Sequence, residues 1–286
     1  MQQALEMHRK SIALRERLVE EQPRSPEFRR DLAIAYSNAA DVLGNAGGPN
    51  LGDKAGALEL CRKMVALTEG NLKADPADRR ALFDHAMSLM RLGSMLPQKE
   101  AEALDTLRAS LAMFERIAAA DAKNRRVPGM IAFLHQRMGA MLESNNRAAA
   151  LGHLEKAATI SAATLAEDGN DFDRIVGYVS AHRLLAAASA RAGKCAKAKG
   201  LFETLLGETP GFVAKAPTAI RALIIKPDLL QALGDAQSVC GDHGAALEAY
   251  AASVEAWKAL GSHKDFGTVH ETAMNRAVEA LRKEQR

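Results

Sequence analysis

The chain has 286 residues, 48% of them hydrophobic, 26% charged and only 4% aromatic, a composition that excludes disorder and favours long helices over strands. Its 38 basic residues against 35 acidic ones leave a net charge of +3, which gives no general attraction to nucleic acid or to an anionic membrane. No stretch approaches the roughly 18 consecutive apolar residues of a membrane span, so no membrane insertion is expected.

Residues 3–21 open the chain as an amphipathic helix, a start that does not have the form of a signal peptide, with Ala4, Leu5, Ile12, Leu14, Leu18 and Val19 as its apolar stripe. Further helices are predicted over 27–45, 54–74, 77–95, 100–120, 125–143, 147–167, 172–192, 196–207, 226–240, 244–260 and 268–284. Within 77–95 the apolar residues Leu82, Ala86, Leu89, Met90 and Leu92 recur at three-four spacing before Gly93. The following helix carries Ala103, Leu104, Leu107, Leu111, Phe114 and Ile117 in the same way. Breaks at Gln22-Pro23-Arg24-Ser25-Pro26, Ala74-Asp75-Pro76, Ala120-Asp121-Ala122, Glu167-Asp168-Gly169 and Glu208-Thr209-Pro210 carry the residues that stop one helix and cap the next. A Gly-rich loop at 44–52 and an apolar connector at 211–227 interrupt the pattern.

A short phrase opening on Ala recurs at Ala4-Leu5-Glu6, Ala57-Leu58-Glu59, Ala103-Leu104-Asp105, Ala150-Leu151-Gly152, Ala198-Lys199-Gly200 and Ala246-Leu247-Glu248, at intervals of 53, 46, 47, 48 and 48 residues. Self-similarity at this period means an array in which each unit buries its apolar face by stacking on its neighbours. The expected fold is therefore an all-α solenoid of antiparallel helix pairs, with about 11–13 helices. Its units are a half repeat at 1–22, then 26–75, 76–121, 124–168, 171–209 and 217–261, with a capping helix at 264–286, all in one domain.

Chemistry-bearing constellations are sparse. Asp265-Phe266-Gly267 spells a magnesium-binding signature of kinases, but no catalytic-loop His-Arg-Asp, strand Lys or phosphate-covering Gly-rich loop precedes it, so it reads as the turn before the last helix. The loop at 44–52 runs into Asp53 and Lys54, which puts a carboxylate where a phosphate would sit. The 8 histidines include no His-x-x-x-His pair, and the methionines Met87, Met90, Met95, Met138 and Met141 lie on apolar stripes. Cys61, Cys195 and Cys240 are far apart in sequence and read as small core residues, with neither a disulfide nor a metal site. No catalytic, cofactor or metal residue is expected, and the chain reads as a non-enzyme.

The repeated phrases resemble the tetratricopeptide repeat. Its Leu-Gly pair is matched by Leu92-Gly93, Met138-Gly139 and Leu233-Gly234, with Ala39-Ala40 and Ala187-Ala188 as small-residue equivalents. Its second-helix Ala is matched by Ala57, Ala103, Ala150, Ala198 and Ala246, and the bulky residue four later by Cys61, Leu107, Leu154, Phe202 and Tyr250. The unit is longer than the family's standard one by a turn or two per helix. Such long units, with phrases like Arg29-Arg30-Asp31-Leu32-Ala33, resemble the C-terminal repeat region of bacterial serine/threonine kinases.

The resemblance implies a right-handed solenoid whose first helices line a concave groove for a protein or peptide. The positions it assigns to that groove are Ser37, Asp41 and Asn45; Met87, Met90 and Ser94; Phe133, Gln136 and Glu143; His182, Leu185 and Ser189; and Asp228, Gln231 and Asp235. The basic set that related proteins use to grip a terminal carboxylate is absent. The expected role is a non-catalytic interaction scaffold, the sensor or docking region of a larger bacterial signalling protein. The alternative is a regulatory module gated by a ligand or partner in a transcriptional regulator. Such a chain is soluble and cytoplasmic by default, and extracytoplasmic if a membrane segment precedes it. The opening half unit leaves the stripe of residues 3–21 short of a neighbour, so a preceding segment or a second copy of the chain is expected to cover it.

Overall fold

The computed structural model describes residues 1–44, 50–97 and 101–285, and every regular element among them is a helix. Among these residues thirteen helices follow in order, and they fall into two compact units, residues 1–127 and 128–286.

The first unit contains α1 (Gln2–Glu21), α2 (Pro26–Gly44), α3 (Lys54–Ala74), α4 (Arg79–Met95) and α5 (Ala101–Ala120). Side-chain caps set several of their starts, each supplying an acceptor to an amide the helix cannot satisfy itself. Ser25 Oγ accepts from the Phe28 amide at 3.2 Å just before Pro26, Asp53 from Gly56 at 2.8 Å, and Asp78 from Arg80 at 2.7 Å. Pairing follows from small residues. A methyl group on Gly93 would lie 2.8 Å from Leu107 Cγ and 3.2 Å from the Ala103 carbonyl, so only a bare Cα lets α4 cross α5 this closely. Further down the pair the Ser110 hydroxyl donates to the Ala86 carbonyl at 2.8 Å, and the opposite running of these contacts shows the helices to be antiparallel. Leu107 and Phe114 fill the space between them, fully buried.

The second unit contains α6 (Val127–Leu142), α7 (Arg147–Glu167), α8 (Phe172–Arg191), α9 (Cys195–Lys215), the single turn α10 (Ile220–Leu223), α11 (Ile225–Val239), α12 (His243–Ala259) and α13 (Thr268–Glu284). The same devices recur here. A Cβ on Gly139 would meet Leu154 Cγ at 2.7 Å and the Ala150 carbonyl at 3.2 Å, and one on Gly234 would meet the Tyr250 ring at 2.6 Å. Ser253 donates to the Pro227 carbonyl at 2.8 Å, repeating the Ser110 bond in another pair. Gly193 and Gly241, with φ of 75° and 82°, follow α8 and α11 in one shared turn, in which the amide of the next residue reaches back to the carbonyl of Ser189 or Gln237. Replacing Gly139 by Leu is expected to lower stability by about 1–3 kcal/mol, read as a shifted denaturation midpoint, because neither Leu154 nor the Ala150 backbone can withdraw. An unchanged midpoint would mean that the pair is not packed here.

Two expectations are corrected. The break placed at Glu208-Thr209-Pro210 is absent: α9 runs through Pro210 to Lys215. A proline inside a helix costs about 3 kcal/mol through its missing N–H and its ring. Ending the helix early would instead expose Phe212, which is buried and meets Tyr178 edge-on at 6.1 Å. Burial of about 1.5–3 kcal/mol and an aromatic contact of about 0.5–1.5 kcal/mol together offset the proline. The second correction concerns the cysteines. Cys61 is a buried thiol as expected, its pKa pushed up to about 11 by burial, but Cys195 and Cys240 form a disulfide with their Cα atoms 5.9 Å apart. They sit 45 residues apart, close to one repeat length, which brings the first residue of α9 against the residue that ends α11.

Asp265-Phe266-Gly267 is the turn that leads into α13, as the sequence suggests. Phe266 meets Trp257 at 6.3 Å and His270 at 5.4 Å, and Gly267 occupies the N-cap. Among the described residues no helix is long and apolar enough to cross a membrane.

Candidate functional site

A cleft of about 700 Å³ opens in the first unit between α2, α4, the end of α5 and the turns that follow α3 and α5. That volume lies within the range of sites that enclose small ligands or anchor side chains, about 300–1,000 Å³. Its apolar surface comes from Ile34 of α2, Phe83 and Met87 of α4 and Ile117 of α5. Ile34 is 43% exposed, which leaves its side chain open to an incoming group. Phe83 is held by an edge-on contact with buried Phe114 at 5.7 Å, so its ring is fixed in the wall.

Six arginines line the same cleft, together with Asp78, Asp84 and Asp121. Arg30 of α2 pairs with Asp84 of α4 at 2.6 Å, and Arg91 of α4 pairs with Asp41 of α2 and reaches the Ser37 carbonyl at 3.4 Å. These crossings tie one first helix to the next. The other four, Arg79, Arg80, Arg116 and Arg126, are exposed, and among the described residues no carboxylate pairs with any of them. Arg126 instead lies over the Phe83 ring, its guanidinium 5.2 Å from the centroid. Asp78 and Asp121 accept from backbone amides of their own turns, of Arg80 at 2.7 Å and Lys123 at 3.1 Å.

Of the groove residues chosen from sequence, Ser37 and Met87 line this cleft and Asp41 anchors Arg91 beside it. Met90 and Ser94 lie half-buried on α4, joined by a hydrogen bond from Ser94 to the Met90 carbonyl at 2.8 Å. Asn45 lies outside the described residues.

The positions in the second unit do not converge on one cavity. Phe133 is 40% exposed, and Gln136 is buried and accepts from Ser180 at 2.8 Å. Glu143 pairs with Arg191, which makes these two residues links from α6 to α8. His182 lies against the Tyr178 ring at 4.1 Å and donates to that residue's carbonyl, and burial lowers its pKa. Leu185 and Ser189 are corrected as surface residues. Leu185 belongs to the packed interface with Leu151 and Leu154, and Ser189 is fully buried. Leu185 thus lies on the side of α8 that meets α7, the helix before it, rather than on an exposed face. Burial raises the Asp228 carboxyl, while Arg183, Arg276 and His270 oppose that rise. Gln231 is half-buried, and exposed Asp235 accepts from the Tyr250 hydroxyl at 2.8 Å, adding to the rise that burial gives the tyrosine's pKa.

The site residues that sequence reading missed are Arg79, Arg80, Arg116 and Arg126. The family pattern points to the first-helix faces, whereas these arginines stand at helix ends and turns. The signal for them is the placing of arginines beside helix breaks.

The chain is all-α and TPR-like in fold class, built from antiparallel helix pairs whose crossings are set by glycine and alanine. Its structure is similar to that of BtubC (BKLC) from P. vanneervenii, with a TM-score of 0.58 and 14% identity over 93% of this chain and 94% of the other. It also matches TTC0263, a thermophilic TPR protein of Thermus thermophilus, at a TM-score of 0.41 and 19% identity, covering 81% of this chain and 95% of that one. No protein-family model matches the sequence. No curated protein matches it either.

Proposed function

We propose that the chain is a non-catalytic scaffold for protein interaction, and that the cleft of its first unit receives a peptide segment of a partner. The observation that carries this reading is a wall of fixed apolar side chains, Ile34, Phe83 and Met87, beside polar groups held in place by the Arg30–Asp84 and Arg91–Asp41 pairs. Apolar anchors with oriented polar neighbours are what an extended or helical segment requires. The setting in a larger bacterial signalling protein rests on the likeness of the long repeat units to those of serine/threonine kinases. The test is a selection of random dodecapeptides on the whole chain, followed by calorimetry of the enriched peptide. Binding that disappears in Met87→Glu, with thermal stability retained, is the expected result, and failure to enrich any peptide overturns the reading. Magnesium-ATP titrated into the same protein should give only the heat of dilution.

Self-association through residues 3–21 is part of this proposal. Leu5 of α1 is buried and Ile12 and Val19 are half-buried, while Met7, Leu14 and Leu18 lie together on a second face of the helix, 64%, 55% and 39% exposed. Light scattering over a concentration series should show a mass that grows with concentration and falls to the monomer in Leu14→Glu, Leu18→Glu. A wild-type protein that stays monomeric throughout counts against it.

A further inference from the structure

On the reading of this cleft as a peptide-docking groove, the geometry points to an acidic occupant: a segment carrying two or more carboxylates next to one large apolar or aromatic residue. The four arginines that have no carboxylate partner among the described residues, Arg79, Arg80, Arg116 and Arg126, come from the first turn of α4, the end of α5 and the turn after it. The fold thus gathers them along one cleft, with Arg126 over the Phe83 ring. Guanidinium groups bind carboxylates through paired, charge-assisted hydrogen bonds, and a cluster left uncompensated raises the local potential for an anion. Asp84 and Asp41 neutralise Arg30 and Arg91, and Asp78 and Asp121 offset two of the other four charges, so a surplus of two positive charges remains in the cleft.

The same surroundings argue against a nucleic acid. A polyphosphate backbone would bring evenly spaced negative charge past Asp78 and Asp121, whose carboxylates stand among the arginines. The chain as a whole carries only +3, without the broad basic surface that phosphate contacts use. Carboxylates on a peptide can instead be placed one at a time, avoiding the two aspartates. Its apolar residue has a defined seat. Ile34, Met87 and Phe83 supply the apolar floor, and Arg126 over the ring contributes both a stacked plane and a charge. A guanidinium takes a side-chain or a terminal carboxylate alike, and amidation of the peptide's C-terminus separates the two.

The experiment uses the whole chain and peptides taken from the random dodecapeptide selection, with fluorescence anisotropy as the readout. The enriched peptides should share acidic residues flanking an aromatic or large aliphatic one. Binding of a labelled consensus peptide should weaken about tenfold or more in Arg80→Glu, Arg126→Glu, and should weaken as salt is raised, since exposed charges are screened. Arg116→Gln, a neutral change at an exposed helix position, supplies a second variant whose folding is not at risk and should give a several-fold loss. Amidation of the peptide's C-terminus should leave binding unchanged. Enriched peptides without acidic residues, lost in Met87→Glu but indifferent to the arginine changes, overturn the acidic assignment and leave the docking groove standing. A single-stranded oligonucleotide that displaces the peptide at lower concentration than the unlabelled peptide also overturns it. Peptides indifferent to both sets of variants overturn the groove itself.

Discussion

Reducing the bond between Cys195 and Cys240 is expected to destabilise the second unit by about 2–4 kcal/mol. The bond spans 45 residues of chain that include α9, α10 and α11, and chain-entropy arithmetic for a loop of that length gives about 4 kcal/mol as an upper figure. Residual structure in the unfolded chain lowers the return, because α8, α9 and α11 share one apolar cluster around Phe202, Leu205 and Leu229. Denaturant titration with and without reductant measures the difference, and a Cys195→Ser, Cys240→Ser variant should match the reduced wild type and ignore the reductant. A thiol titration of the unfolded, oxidised protein should find one thiol, that of Cys61. Three thiols before reduction, or superimposed denaturation curves, would remove the bond from the account. Structural disulfides are rare in reducing compartments, so the same titration on freshly isolated protein bears on the redox state of the chain's surroundings.

Much of this fold is legible in the sequence because it is written in residues with one physical role each. The Ala that recurs at each second helix, and the Gly opposite it at Gly93 and Gly139, mark points where backbones nearly touch, and those positions are where the sequence puts them. Asp53, Asp78 and Asp171 cap helices for the same local reason. Pro210 misleads because its effect depends on a distant partner. Only the burial of Phe212 against Tyr178 makes continuing the helix worthwhile, and that contact joins residues far apart in the chain. The cysteines mislead similarly: each alone looks like a small core residue. Their separation of about one repeat is the available clue, since equivalent ends of successive pairs lie side by side.

Some of the groove positions read from sequence line the proposed cleft, and others are taken up by packing. Ser37 and Met87 reach the cleft, whereas Asp41, Gln136 and Glu143, expected to face a ligand, instead hold neighbouring first helices together. A polar residue on a first helix can serve a ligand or the next repeat, and periodicity does not distinguish the two. The difference emerges only when the facing side chain is known. Arg91 opposite Asp41 and Arg191 opposite Glu143 satisfy those carboxylates, which leaves the arginines at the helix ends for the proposed docking.

Acidification should destabilise the protein between about pH 6.5 and pH 4, and His135 should carry a measurable share of that loss. Its ring is 4% exposed, packed in the α6–α7 interface with Nδ1 2.8 Å from Nδ1 of His153, so one imidazole donates and the other accepts. Burial first, then the charges of His153 and Lys156, lower the pKa of His135 from the usual 6.5 to about 4. His85, bonded to Thr68, and His182 are lowered in the same direction, chiefly by burial. The unfolded chain therefore takes up protons below its ordinary histidine pKa while the folded one resists, and stability falls as pH falls across that interval. Above about pH 7.5 these groups are neutral in both states and contribute almost no slope. For His135 alone the full shift corresponds to about 3 kcal/mol, an upper figure reached only near pH 4. Denaturation midpoints measured from pH 7.5 down to pH 4.5 test it against His135→Gln, which retains a hydrogen-bonding head and does not titrate. Carboxylates contribute equally to both proteins, so the variant should be less stable near neutrality yet lose less on acidification. Parallel curves for the two proteins would show that the proton enters elsewhere and that the His135–His153 contact does not govern the acid response.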